Sequence, residues 1–282
     1  MKKILSVFLM VVLASAVLFA SGNKEEMESR NRLERIISEG KITCAISPDF
    51  APYEFLDLTN PEHSVVGAEV SLAKYIANEL GVELVIEQMD FATCQASVAM
   101  GKIDFTVSGY APTAERAENM GCSTYYNFTP VDESDSKQGI IVAKKNAGNC
   151  TAKEDFKGMK LAVQNGSLQM NLATSQLEDV TLEPISNIND GILMLLNGKV
   201  DGVVSSTDTG MEYVKNYPDS IDVAPFRFVF QADGNIALVN KNEPELLEAI
   251  NKAIEKAKAE NALVPMYEEA KALCDKLGVK VN

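Results

Sequence analysis

Val98–Arg116, VAMGKIDFTVSGYAPTAER, is the stretch from which the fold is read. Gly101 stops a helix, Ile103 to Val107 forms a short apolar strand, and a Ser108-Gly109 turn leads through Pro112-Thr113 to a lone Arg116. Strand, turn and helix start make up the unit of an open α/β sheet. Ligands of such sheets sit at the carboxyl ends of the strands, where the N–H groups of the next helix point outward. Ser108 to Arg116 occupies that place. Ser108 and Thr113 offer hydroxyls, Gly109 lets a guest approach the backbone, and Arg116 offers a planar fork for a carboxylate. Of 26 basic residues only Arg30, Arg32, Arg35, Arg116 and Arg227 are arginines, and the first three sit on one early helix. An isolated arginine after a Ser-Gly turn therefore points to a need for fork geometry. Pairing with Glu115 or Glu118 on a solvated helix face is the competing reading.

Working outward, an apolar N-terminal run is followed by a charged leader, Asn23 to Ser29, and a helical stripe of Leu33, Ile36 and Ile37 closed by Gly40. A strand, Lys41 to Ile46, runs into the turn Ser47-Pro48-Asp49-Phe50-Ala51-Pro52-Tyr53. An amphipathic helix with Val70, Leu72, Ala73, Ile76, Ala77 and Leu80 ends at Gly81, and Val82 to Ile86 is the next strand. The same plan then returns. Lys160 to Val163 reads as a strand leading into the turn Gln164-Asn165-Gly166-Ser167, and a helix, Ile192 to Leu196, stops at Gly198. Gly198-Lys199-Val200-Asp201 echoes Gly101-Lys102-Ile103-Asp104, and VDGVVSS echoes IDFTVSG. Two lobes of like architecture follow. Thr129 to Gln138, polar and without periodicity, suits a hinge. The strand Ile236 to Asn240 and the helices with Leu246, Leu247, Ile250, Ile254, Met266, Tyr267 and Leu273 have no partner in the second half, so the chain is expected to cross back. That places the first lobe at 29–136 and 232–282 and the second at 137–231.

At 282 residues with 46% apolar content, the chain can bury the cores of two compact lobes. Its formal charge of −14 excludes nucleic-acid binding, which needs a cationic face, and disfavours adsorption to anionic lipid. Met1 to Ala20 has two lysines, an apolar run, and small residues at its end. It reads as an export signal, with a retained anchor as the alternative. Five cysteines form no CxxC. Cys44, Cys94 and Cys274 read as buried hydrophobes, whereas Cys122 and Cys150 lie in loop-like segments where a bridge stays open. One histidine, His63, and scattered cysteines make neither a zinc site nor a Ser-His-Asp triad, and no metal or cofactor is expected. Tyr53, Tyr110, Tyr125 and Tyr126 fit either cleft or core by their spacing, with core the default.

APYEF (Ala51 to Phe55), VGAEVSLAKYIANELG (Val66 to Gly81), MGKIDFTVSG with TAER (Met100 to Arg116), FKGMKLAVQNGS (Phe156 to Ser167) and GKVDGVV (Gly198 to Val204) stand in the order in which similar motifs stand in a known group. Over nearly the whole mature chain the sequence resembles the family 3 extracellular solute-binding proteins, periplasmic receptors that deliver polar amino acids to ABC importers. The resemblance implies a two-lobed periplasmic binding protein-like α/β fold, its lobes joined by two crossing strands with a cleft between them. It makes Arg116 the grip on a ligand carboxylate, with Ser108, Gly109 and the amide of Ala111 beside it. Phe50 and Phe91 become wall aromatics, and Gln164, Gly166 and Ser167 complete the site from the second lobe. The sequence departs from the family at several positions. Ser206 stands where an aspartate usually holds the α-ammonium, Ser47 where an acid is common, and Ala111 and Leu168 where hydroxyls are expected. Asp208 and Asp49 are nearby substitutes, or else they cap helices.

Capture of an amino acid or related carboxylate by a monomer serving a membrane permease in the periplasm is the function that this resemblance implies. Two rivals come from the same fold. One is a prephenate or arogenate dehydratase with Glu54, Asp49 or Asp208 as general acid; the other is a sensory ligand-binding domain.

Overall fold

The computed structural model describes residues 31–129 and 136–278. The expected signal Met1 to Ala20, the leader that follows it, and 130–135 of the expected hinge lie outside those residues. Thirteen strands are numbered in chain order: β1 (Lys41–Ile46), β2 (Asp49–Phe50), β3 (Glu54–Leu56), β4 (Val65–Val66), β5 (Glu83–Gln88), β6 (Phe105–Thr106), β7 (Met120–Cys122), β8 (Gln138–Ala143), β9 (Lys160–Gln164), β10 (Thr181–Ile185), β11 (Gly202–Ser206), β12 (Ile221–Val223) and β13 (Leu238–Asn240). They form two five-stranded sheets, ordered β5-β1-β6-β13-β7 and β10-β9-β11-β8-β12, and a small sheet β2-β3-β4.

The two large sheets share one plan. Three parallel strands (β5, β1 and β6; β10, β9 and β11) are extended by two strands that pair antiparallel. In the second sheet the strand beside the parallel set is β8, which opens the lobe. In the first it is β13, which arrives only after the second lobe is complete. The chain therefore crosses back. The helices after β13, Pro244–Ala259 and Leu263–Leu277, place Leu246, Ile250, Ile254 and Tyr267 in one apolar core with Leu72 and Ile76 of the helix Ala68–Leu80. Burial on both faces explains why β1 and β9 read as apolar runs rather than alternating ones.

The sequence echo has a physical basis. Gly101 and Gly198 both take a left-handed conformation that ends a helix, with φ of 69° and 66°. Three residues on, Asp104 and Asp201 each accept the backbone N–H of a neighbouring parallel strand, Asp104 from Thr43 at 2.7 Å and Asp201 from Lys160 at 2.8 Å. Asp104 also takes the Thr43 hydroxyl at 2.7 Å, Arg32 Nε at 2.6 Å and Arg35 Nη2 at 3.1 Å, which accounts for two of the clustered arginines. The strand expected from Ile103 to Val107 pairs only at Phe105 and Thr106, because side chains take over the bonding. Thr106 Oγ1 donates to the Ala45 carbonyl at 2.7 Å, and Ser108 Oγ accepts the Ser47 N–H at 3.1 Å. All five cysteines are free. Cys122 sits on β7 of the first lobe and Cys150 packs in the second lobe's core, so the bridge left open by the sequence does not form.

The buried Asp104 cluster yields a stability test. Asp104→Ala would strand Arg32 and the Thr43 N–H, and urea denaturation is expected to show a loss of about 3–5 kcal/mol. Asp201→Ala, at the exposed end of the matching strand, is expected to cost less. Equal losses would contradict this account.

Candidate functional site

The two segments that pass between the lobes lie side by side: Tyr126 and Asn235 exchange N–H···O=C bonds of 2.9 Å in each direction. Beside them is an inter-lobe cavity of about 570 Å³, the size of a small-molecule site. Phe50, Phe91, Gly109, Ala111 and Arg116 wall it from the first lobe; Leu168, Ser206 and Asp208 wall it from the second.

Arg116 is fixed by the elements around it. Thr113 caps the helix Ala114–Asn119 by accepting the Arg116 N–H at 3.2 Å. Phe91 and Gln95, one turn apart on the helix Phe91–Ala99, meet the guanidinium together. Its Cζ lies 5.6 Å from the Phe91 ring centre and 5.0 Å from that of Tyr110, and its Nε donates to Gln95 Oε1 at 2.9 Å. Nη1 donates to the Ala111 carbonyl at 2.6 Å, and Nη2 crosses to the Gly166 carbonyl of the second lobe at 3.1 Å. The side chain is only 3% exposed, and burial pushes its pKa down from the usual arginine value. Neither Glu115 nor Glu118 pairs with it, and no ion pair to it forms among the described residues. A full positive charge thus borders the cavity with only neutral oxygens bound to it, an arrangement that an entering anion would relieve.

Gly109 holds the neighbouring loop. At φ +62° it sits where a β-carbon would meet the Phe50 ring at 3.3 Å, and its N–H donates to Glu69 Oε1 at 3.0 Å. Glu69 Oε2 accepts the Tyr126 hydroxyl at 2.7 Å, so one buried carboxyl joins the cavity loop to a crossing segment. On the second lobe, Asp208 accepts Lys137 Nζ at 3.1 Å and the Tyr53 hydroxyl of the first lobe at 3.3 Å. Ser206 lines the cavity while its hydroxyl caps the next helix at the Thr209 N–H, 3.1 Å away.

The other residues expected at the site stand behind this wall, engaged with one another. Ser47 gives its N–H to Ser108 and its hydroxyl to Asp49 at 2.9 Å. Gln164 donates to Asp49 at 2.8 Å, Ser167 caps the helix Leu168–Gln176, Thr113 caps that of Arg116, and Gly166 offers its carbonyl to Arg116 and, at 3.3 Å, to Gln95. Burial raises the Asp49 carboxyl to about 6, against the lowering effect of the Ile188 N–H, the Ser47 hydroxyl and Gln164. Tyr110 and Tyr126 are core, Tyr53 packs against the first lobe's core while lining the cavity, and Tyr125 lines the cavity. Sequence reasoning did not single out Gln95 or Lys137. Gln95 follows Phe91 by one helical turn, which is a usable signal; Lys137 lies in an aperiodic polar stretch that carries none.

The family model for bacterial extracellular solute-binding proteins, family 3, matches residues 42–269. A probable histidine-binding protein of Campylobacter jejuni is 24% identical over 275 residues, 95% of this chain and 99% of its own. The L-cystine-binding protein TcyJ of Escherichia coli is 24% identical over 261 residues, 93% of each chain. Among solved structures, the amino acid ABC transporter substrate-binding protein AbpA from Streptococcus pneumoniae, bound to L-arginine, matches with a TM-score of 0.78 at 33% identity. That match covers 85% of this chain and 98% of the other.

The acids behind the cavity make stability depend on pH. Burial raises the carboxyls of both Glu54 and Glu69, and Glu54, fully enclosed with neither oxygen hydrogen-bonded, is raised further by Glu69 and Asp49. These groups bind protons more tightly folded than unfolded, so above the ordinary carboxylate range stability falls as pH rises. Surface acids held below that range act only at lower pH. Urea denaturation is expected to show a more stable chain at about pH 5 than at about pH 8, with Glu54→Gln flattening the difference. Stability that climbs over that interval would refute the assignment.

Proposed function

The chain belongs to the family 3 bacterial extracellular solute-binding proteins, and on that premise we propose that it captures a small carboxylate, an amino acid or an amino-acid derivative, between its lobes for delivery to an ABC importer. The observation that carries this reading is the buried Arg116 guanidinium bordering the cavity without an anionic partner. Its remaining N–H donors take the carboxylate. Phe50 and Phe91 pack against the ligand, and Gly109 and Ala111 bring backbone within reach. Asp208 receives the ammonium from the second lobe, two residues beyond the Ser206 position, and shares it with Lys137 and Tyr53. The relatives bind arginine, histidine or cystine, which have the α-amino-acid head group in common, and that is the part of the ligand these walls suit. Charge-assisted bonds of this kind strengthen as the lobes exclude water.

The family is extracytoplasmic. Export through Met1 to Ala20, residence in the periplasm, a monomeric state and docking on a permease complete the proposal. We infer capture without bond breaking, because two of the carboxyls that a dehydratase would need, Glu54 and Asp49, do not line the cavity, and the third, Asp208, is held by Lys137.

A thermal-shift screen should begin with arginine, histidine and cystine and extend to derivatives and organic acids. A true ligand at 100 times its dissociation constant is expected to stabilise the chain by about 2.7 kcal/mol. With that ligand, Arg116→Ala is expected to lose about 2–5 kcal/mol of binding by calorimetry. Asp208→Asn is expected to weaken only ligands that carry an amine. Unaltered affinity in Arg116→Ala would remove that residue from the site.

A further inference from the structure

One carboxylate of the first lobe is bonded mainly to the second. Asp49, on β2 and 6% exposed, takes the Ser47 hydroxyl on Oδ1, but its Oδ2 accepts two donors from the other lobe. These are the Ile188 N–H at 2.6 Å and Gln164 Nε2 at 2.8 Å. Ile188 opens the nine-residue helix Ile188–Leu196, whose own cap, Asn187, is occupied with the Asp190 N–H. A carboxylate at this helix start meets an unpaired donor and a favourable dipole. The Tyr213 hydroxyl, shared with Asn189, lies 3.4 Å from the Asp49 carbonyl. Around these bonds Ala51 and Phe55 pack with Ile185, Ile188 and Ile192 of the second lobe, at the base of a second, smaller cleft that Ser47, Asp49 and Tyr213 line, and Asp49 is buried enough there for a charge-assisted bond to count. Neither Asp49 nor its partners line the cavity that Arg116 borders.

We propose that Asp49 is a closure latch, a positioning residue that clamps the first lobe onto the start of the helix Ile188–Leu196 and so sets how firmly the closed lobes hold a ligand it never touches. The proposal rests on the reading that the ligand is taken up by lobe closure. Of the other bonds between the lobes, those of Arg116 to Gly166 and Tyr53 to Asp208 involve side chains that border the cavity, that of Gln95 to Gly166 lies beside Arg116, and the pairs of Lys215 with Asp275 and Lys271 with Glu212 lie on the partly exposed end of the helix Leu263–Leu277; the first two are remade when a ligand enters. The Asp49 bonds are not, so they bias the open–closed equilibrium in the same sense whether the site is empty or full.

The test is small-angle X-ray scattering of the ligand-free chain, wild type against Asp49→Asn, with circular dichroism to verify folding. Asn offers a single neutral oxygen in place of the carboxylate, so the bonds to the Ile188 N–H and Gln164 lose their charge assistance, and the variant is expected to show a larger radius of gyration. Gln164→Leu, which removes one donor from the other side, is expected to move in the same direction by less, and it serves if Asp49→Asn does not fold. With a ligand from the screen, stopped-flow is expected to give a dissociation rate about tenfold to a hundredfold faster, an unchanged association rate and the same order of ligand preference. Ligand-free scattering curves that superimpose overturn the latch. Because scattering needs no ligand, a chain that binds none of the screened compounds still tests the latch. Conversely, a chain that binds with superimposed curves keeps the receptor reading and loses the latch.

Discussion

A guanidinium removed from water and given only amide and carbonyl oxygens is the constraint on which the rest of this structure turns. Arg116 could not be carried at that position by its own short helix. Thr113 fixes the helix start, Gln95 and the Ala111 carbonyl orient the fork, and the Phe91 and Tyr110 rings face its charge. Each of these partners is in turn set by a sheet edge or a helix face of the first lobe. The second lobe contributes a single carbonyl, that of Gly166, to the same cation. The arginine therefore reports on both lobes at once, and the cost of leaving it without an anion is distributed through the elements that hold it.

Behind it the fold encloses several acidic side chains. Asp49, Glu54 and Glu69 are all enclosed, and only Glu54 lacks hydrogen-bond partners. The three do different things with their charge or its loss. Glu69 ties the Gly109 loop to Tyr126 in the crossing segment, Asp49 reaches the other lobe, and Glu54, near both, has its carboxyl raised by burial and by their charges. A chain whose net charge is −14 would ordinarily keep carboxylates in water. Enclosing three behind one cavity makes the fold around it sensitive to proton concentration.

Much of the architecture was legible in the residues. Helix ends marked by Gly40, Gly81, Gly101 and Gly198, the apolar stripe of Ala68–Leu80, and the Gly-Lys-X-Asp echo are local signals, because left-handed caps and helical periodicity are decided within a few residues. The return of the last strand could be inferred from elements left without a partner. Of the candidate site, Arg116 stood out by scarcity and position, and it borders the cavity between the lobes. What sequence could not reveal was how Ser47, Ser108, Gln164 and Asp49 pair among themselves. Hydroxyls and amides at strand ends choose partners by three-dimensional proximity, and a residue that satisfies a neighbour is no longer offered to a guest. Tyr53 and Tyr125 could not be assigned from spacing for a related reason: whether an aromatic ring faces a core or a cleft depends on which lobe stands opposite.

The placing of β13 between β6 and β7 has a bearing on how such a chain is made. The second sheet draws all its strands from one continuous run, residues 138–223, and can assemble as soon as that run emerges. The first sheet cannot be closed until residue 240 has been synthesised, although most of it leaves the ribosome earliest. A nascent polypeptide of this topology keeps its leading half unfinished after the second sheet already has all its strands.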